Sequence, residues 1–286
     1  MHTPVLLKES IYYLNPKSGD TILDATIDGG GHTEEVCQAI GENGTLIGID
    51  QDREAIDRLK FQITNSKYQI KLLCGNFREV DKLVREKING AIFDLGMSSN
   101  QIEESGRGFS FQKDEPLLMN YGQENDLTAR EIINKWTEKD ISDVLFKYGE
   151  ERYSRRIARN IVKSRPVETT FDLVDIIRGS VPSSYRHGRI NCATRTFQAL
   201  RIAVNDEINA LKQGMEKVWK LLLPGSRLII ISFHSLEDRE VKNFFRELKN
   251  KKQGIILTKK PIAPTVEEKK INPRSRSAKL RAIAKV

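Results

Sequence analysis

Residues Asp24 to His32 read Asp-Ala-Thr-Ile-Asp-Gly-Gly-Gly-His, and they join a short apolar run, Thr21 to Ala25, to a stretch of helical length, Thr33 to Ile40. Three consecutive glycines where a chain leaves a strand let the backbone turn tightly and let a ligand approach it closely. The loop therefore asks for a buried strand before it and a crossover helix after it. Three more short apolar runs bounded by turn residues follow, Thr45 to Asp50, Ile70 to Cys74 and Ala91 to Leu95. They read as buried parallel strands. Helices are predicted between them over Arg53 to Ile63 and Arg78 to Lys87. Alternating strands and helices specify an α/β fold, a doubly wound, mostly parallel sheet with right-handed crossovers.

The alternation stops after Leu95 and resumes at a fifth predicted strand, Ser226 to Phe233. An amphipathic helix precedes that strand, with Ile208, Leu211, Met215, Val218 and Leu222 on one face and Pro224-Gly225 ending it. In between, Thr137 to Tyr148 opens with the capping pair Thr137 and Asp140, Tyr153 to Val162 has helical spacing, and Thr170 to Arg178 begins at an N-cap. The expected organisation is an α/β domain in two parts, residues 1–105 and 205–286, with an inserted helical domain at 106–204 that forms one wall of a cleft. The final INPRSRSAKLR stretch is polar and basic, so a partly mobile basic tail is expected.

Charge is unevenly spread. The net charge is +8, yet Lys249 to Val286 alone carries +10 and Arg152 to Arg201 carries +8, which leaves −10 for the rest. Two strongly basic segments on an otherwise acidic chain are the footprint of a nucleic-acid binder. No run approaches the roughly 18 to 20 apolar residues of a membrane span, and the N-terminus lacks a signal-peptide pattern, so a cytoplasmic protein is expected. Cys37, Cys74 and Cys192 form no C-x-x-C pair and read as reduced core residues. Four scattered histidines offer no ligand spacing, so no metal is expected.

Asp50 ends the second strand 22 residues after Asp28, where an acid can bond a ribose diol. Loop and acid together indicate an adenosine-containing cofactor. The loop lacks G-x-G-x-x-G, and Asp24 and Asp28 would repel a pyrophosphate while suiting the ammonium and sulfonium of S-adenosyl-L-methionine. Asp94 and Ser98 follow the fourth strand at the edge where open α/β sheets bind ligands. Phe77, after the third strand, is placed to flank an adenine, and His234 follows the fifth.

The blocks HTPVLLKE, DATIDGGGH, GIDQD, FDLGMSSNQ, GRGFSF, YGEERYSRRIARNIV, ATRTFQALRIAVNDE, IISFHSLEDREVK and NPRSRSAKLR run in one order along nearly the whole chain. In these the chain resembles the RsmH (MraW) family of bacterial small-subunit ribosomal RNA cytosine-N4 methyltransferases. The resemblance implies a class I, Rossmann-like methyltransferase fold with an inserted helical domain. It also implies a cofactor site in which Gly30, Gly31 and His32 hold the methionine end, Asp50 the ribose and Phe77 the adenine, with Asp94 and Gln101 completing it. The chain departs from the family pattern at Asp28, where glycine is usual, and at Leu118 and Asn120, where an aspartate and an arginine are usual; if those side chains close over cofactor or RNA, the chain either binds more weakly or relies on neighbours such as Arg107, which is a candidate RNA contact.

The expected reaction is in-line methyl transfer to the N4 amine of a cytosine in 16S RNA. The amine's lone pair is delocalised into the ring, so an acceptor near its hydrogens helps it pyramidalise. Asp94, Ser98 and His234 are the candidates. Arg152, Arg155, Arg156 and Arg159 recur at helical spacing, Arg195 and Arg201 flank Phe197, and Arg274 and Arg276 lie in the tail. All are candidate RNA contacts. The expected partners are small-subunit ribosomal RNA or the 30S particle, and a second copy of the chain as a homodimer. Competing readings are a methyltransferase for another substrate and a non-catalytic RNA-binding ribosome assembly factor.

Overall fold

The computed structural model describes residues 4–64, 66–97, 102, 105–121 and 127–286. The chain divides into two compact units, Met1–Gly96 with Ile208–Val286, and Met97–Glu207. Among the described residues no helix is long and apolar enough to cross a membrane.

The first unit is built on a seven-stranded sheet: β1 (Thr21–Asp24), β2 (Thr45–Asp50), β3 (Gln69–Cys74), β4 (Ile88–Asp94), β5 (Leu222–Ser232), β6 (Gly254–Ile256) and β7 (Lys279–Lys285). Its order is β3-β2-β1-β4-β5-β7-β6, with β1 to β5 parallel and β7 antiparallel to both β5 and β6. The order reverses at β1 and β4, and the crevice at such a switch point is where this sheet type takes ligands. Successive strand residues face opposite sides. Leu23, Leu228, Ile230 and Ile283 enter one apolar cluster, while Ile22, Ile229, Ile231, Leu280 and Ala282 enter another. Both faces are thus covered by helix, which is why β1, β2 and β4 read as nearly unbroken apolar runs.

Four local expectations need correction. The stretch after β3 is a 3-10 turn, Phe77–Glu79, and a single helical turn, Val80–Leu83; Val84 is already extended because the chain must drop to buried Ile88 at the start of β4. Pro224 and Gly225 lie within β5 at a bulge, where pairing with β4 shifts between Ile88↔Leu222 and Gly90↔Arg227; the preceding helix, Glu207–Leu221, stops earlier. The basic C-terminal stretch is not a mobile tail. Residues 279–285 are β7, inserted between β5 and β6, and Arg281 is buried with its guanidinium on Asp238, Nε to Oδ1 at 2.6 Å and Nη2 to Oδ2 at 3.3 Å. Cys37 and Cys192 are buried, but Cys74 is exposed.

The second unit is helical, with helices Ala129–Lys135, Glu138–Gly149, Ser154–Lys163, Thr170–Ser180, Ser183–Arg186 and Thr194–Asn205. Threonines start three of them: Thr128 accepts from Glu131 N, Thr137 from Asp140 N, and Thr169 with Asp172 completes a capping box. Ile132, Ile141, Leu145, Ile157, Ile161, Leu173 and Leu200 share one apolar cluster. At Gly149 a Cβ would lie 2.5 Å from Arg195 O, so only glycine allows these two helices to approach this closely. Asn205 anchors the loop at 119–121, with Nδ2 donating to Met119 O at 2.7 Å and Oδ1 accepting from Tyr121 N at 2.9 Å.

Candidate active site

Asp24, Asp50 and Asp94 end β1, β2 and β4, side by side at the carboxyl edge of the parallel strands. Backbone amides hold all three carboxylates, that of Asp94 through Gly96 N to Oδ1 at 3.4 Å. Asp24 Oδ1 accepts from Thr26 N at 3.1 Å, while Asp50 accepts from Asp28 N at 2.9 Å and from Asp52 N at 2.8 Å. Thr26 ties the loop to β4 by accepting from Asp94 N at 2.6 Å. Asp24 is 3% and Asp50 9% exposed, and the Asp94 side chain 18%.

Three carboxylates this close and this dry cannot all stay ionised cheaply. Burial pushes Asp24 up to about 7, against the lowering bond from Thr26 N and with further upward pressure from Asp94, Asp50 and Asp28. Burial likewise pushes Asp50 and Asp94 up to about 7, with Asp28 repelling both. Among the described residues no lysine or arginine pairs with Asp24, Asp50 or Asp94; the basic group beside them is His32, whose Nδ1 lies 3.9 Å from Asp94 Oδ2. Uncompensated buried anions of this kind call for a cation from outside.

The glycine loop leaves room for one. Gly30 has a φ of +74°, and a Cβ there would come within 2.8 Å of Leu59 Cδ1, whereas a Cβ at Gly29 would meet nothing within 4 Å. Asp28 also sits in the left-handed region, φ 40°, a conformation that a short polar side chain tolerates better than most. His32 is buried, with Nε2 donating to Val5 O at 3.2 Å, and Thr33 Oγ1 is buried with no hydrogen-bond partner among the described residues. Open backbone at Gly29, an unsatisfied hydroxyl and an excess of buried negative charge fit the positively charged, adenosine-bearing ligand read from the sequence. Thr26 and Thr33 carry little signal in the sequence, one a hydroxyl residue two positions after Asp24 and the other a hydroxyl residue opening the next helix.

Phe77 is half-buried, edge-on to Phe93 at 5.4 Å and pressed against Gly214, where a Cβ would lie 2.6 Å from its ring. His234 is the N-cap of helix Ser235–Asn250: its Nδ1 accepts from Glu237 N at 3.4 Å, and Glu237 Oε2 accepts from His234 N at 3.2 Å and Phe233 N at 2.8 Å. Those bonds give His234 a structural task. Ser98 and Gln101 lie outside the described residues.

The candidate RNA arginines separate into two groups. Arg155, Arg156 and Arg276 are exposed, and Arg195 is half-buried, with Nη1 on Glu150 O at 3.3 Å. Arg274 is half-buried in the turn Pro273–Ser277. Arg107 and Arg201 depart from the expected outward contacts. Arg107 Nη1 donates to Tyr121 O at 2.7 Å and Asn120 O at 3.3 Å. Arg201 forms a two-pronged pair with Glu207, at 2.8 and 2.9 Å, and is only 18% exposed. Arg159 lies 3.5 Å from Glu138. Over the helical unit, Met97 to Glu207, 17 basic and 17 acidic residues balance, so the charge of the Arg152 to Arg201 segment is offset within its own unit.

A switch-point sheet of this order, with acids at the ends of β1, β2 and β4 around a glycine loop, defines a Rossmann-like class I methyltransferase. A Clostridium thermocellum protein solved as a candidate rRNA-methylase superposes with a TM-score of 0.51 at 14% identity, covering 100% of this chain and 98% of that one. A Streptococcus mutans protein solved as a candidate methyltransferase in complex with SAH gives 0.50, also at 14% identity, with all of both chains covered. The chain belongs to the MraW methylase family, which matches residues 1–286. It is 48% identical over 290 residues to a Synechocystis protein and 43% identical over 308 residues to one from Halothermothrix orenii, both named Ribosomal RNA small subunit methyltransferase H. All of this chain is covered in each case, and 93% and 98% of those relatives.

Proposed function

We propose that this protein transfers a methyl group from S-adenosyl-L-methionine to the N4 amine of a cytosine in small-subunit (16S) ribosomal RNA. The observation that carries the reading is the set of buried carboxylates, Asp24, Asp50 and Asp94, without a lysine or arginine partner among the described residues, beside an open glycine loop, in a chain of the MraW methylase family. Relatives named for methylation of small-subunit ribosomal RNA support the choice of substrate.

When bound, S-adenosyl-L-methionine supplies an electrophilic methyl on a cationic sulfur. Asp50 would hold the ribose hydroxyls, Gly30, Gly31 and His32 the methionine end, and Phe77 would border the adenine; Asp94 and Gln101 would complete the pocket. Asp94 then has a second task. A carboxylate whose proton affinity lies near neutrality suits the acceptance of a proton from the cytosine amine, because it is ionised often enough to act and basic enough to act usefully. No covalent intermediate with the protein is needed; alignment and charge placement carry the rate. The helical unit, residues 106–204 in the sequence reading, would recognise the RNA through Arg155, Arg156 and Arg195, with Arg276 contributing from the sheet unit. A target base has to leave its stack before it can reach such a pocket.

Mass spectrometry of nucleosides from small-subunit RNA treated with the protein and the methyl donor tests the assignment. N4-methylcytidine is expected. A profile identical to untreated RNA, with donor binding intact, would leave a non-catalytic RNA-binding factor as the surviving account, and methyl on another acceptor would change the substrate.

A further inference from the structure

Spacing groups Arg152 with Arg155, Arg156 and Arg159, yet it lies outside their helix, which begins at Ser154. Its surroundings differ as well. The preceding Glu151 is fully buried, and its carboxylate accepts from Tyr153 N at 2.8 Å and from the Tyr185 hydroxyl at 2.7 Å. These bonds hold the Tyr153 and Tyr185 rings nearly perpendicular, at 71° and 5.0 Å between centroids. Into that corner comes the Arg152 guanidinium, with Cζ 5.0 Å from one ring centroid and 4.7 Å from the other. Arg152 is exposed, and among the described residues no carboxylate pairs with it. Burial and the Glu151 bond push the Tyr185 hydroxyl up to about 12, so it remains a donor to Glu151 throughout the physiological range.

A phosphate contact needs a reachable charge and no bracing. A planar cation held against two aromatic rings, with its remaining surface open to solvent, matches a different task, since guanidinium planes stack on nucleobases as well as on aromatic side chains. Ordering the side chain beforehand also lowers the entropy lost when a base arrives. We propose that Arg152, braced by Tyr153 and Tyr185 over the buried Glu151, is a stacking platform for an unpaired base of the RNA substrate. The proposal rests on the reading of the protein as an RNA methyltransferase and adds a base contact to it.

The test uses the full chain and a set of single-stranded RNA oligonucleotides from the methylated region, each with 2-aminopurine at one successive position. Fluorescence reports stacking, and anisotropy across a salt series reports affinity. The wild-type protein is expected to quench at one position at least. Arg152→Lys keeps the charge but loses the plane, so that quench should vanish and affinity fall about tenfold with an unchanged salt slope. Arg152→Ala should match it in quenching. Arg152→Lys that binds and quenches like wild type overturns the platform, as does a wild-type protein that quenches at no position. Thermal melting of each variant shows whether the unit is folded, and the exposed position predicts that it is. Methyl transfer by the wild type is measured on the same RNA. Quenching lost in Arg152→Lys while the wild type transfers no methyl would sustain the platform and remove the enzymatic reading; methyl transfer with a quench indifferent to Arg152→Lys would do the reverse.

Discussion

Glu207 of the helical unit and the acids that end β1, β2 and β4 of the sheet unit are all largely buried, and the fold treats them in opposite ways. Glu207 is clamped by Arg201 and accepts from the Tyr121 hydroxyl at 3.1 Å. Its counterion lies within its own unit, as the counterion of Asp238, Arg281, does in the sheet unit. In the sheet unit the carboxylates of Asp24, Asp50 and Asp94 accept from backbone amides but have no lysine or arginine partner among the described residues, and all three are pushed up to about 7. A buried charge with an internal counterion serves the architecture. One without a counterion costs stability until a ligand brings the missing charge. Burial of an acid is therefore no guide to function until its partners are counted.

The comparison can be broken most sharply at Asp94. Asp94→Asn is expected to reduce methyl transfer by about 10²- to 10³-fold while donor affinity changes by less than about tenfold; turnover measured beside calorimetric donor binding checks this, and an equal loss in both would make Asp94 a binding residue only. Acid-to-amide changes in the two units come next. Asp24→Asn can keep the bond from Thr26 N and removes a repelled charge, so the donor-free protein should melt roughly 3–6 °C higher and bind the donor more weakly. Glu207→Gln leaves Arg201 without its carboxylate and should melt about 5 °C lower. Shifts of the same sign in thermal denaturation would end the distinction.

The pH dependence has a definite sign. Asp24, Asp50 and Asp94 hold protons more tightly folded than unfolded, so their contribution to stability is fully present below about pH 4 and is lost as pH rises to about 7. Denaturant titrations of the donor-free protein between these limits should show that loss, with a shallower slope in Asp24→Asn. Donor binding at pH 7 should release protons, readable as a dependence of the calorimetric heat on buffer ionisation enthalpy. The smallest effects concern the arginines. Arg155→Ala and Arg156→Ala should each weaken RNA binding a few-fold and lower the salt slope by about 1, without a change in melting. Arg201→Ala should lower the melting temperature and leave the slope alone.

Much of the sheet was legible because its signals are local. The apolar runs at β1, β2 and β4 and the glycines after Asp24 carry strand, turn and crossover within a few residues of one another. The acids at positions 24, 50 and 94 followed, since a strand's end marks the edge where its last residue lies. The strand β7 was hidden for the converse reason. Lys279 and Arg281 make the segment read as a polar tail, yet both reach Asp238, about forty residues away in sequence, and that pairing lets the charged positions enter the sheet edge-to-edge with Leu280 and Ala282.

The arginines show the same limit at shorter range. Arg155 and Arg201 are alike in type and both stand on helices, but Asp206 turns left-handed just past the second helix, at φ 49°, and the chain brings Glu207 back onto Arg201. Sequence alone determined the order of strands β1 to β5, the place of the glycine loop and the identity of the acids, because periodicity and turn chemistry act between neighbours. Which charges are satisfied inside the protein and which are left for a ligand was decided only in three dimensions, because an ion pair depends on distance in space and not on separation along the chain.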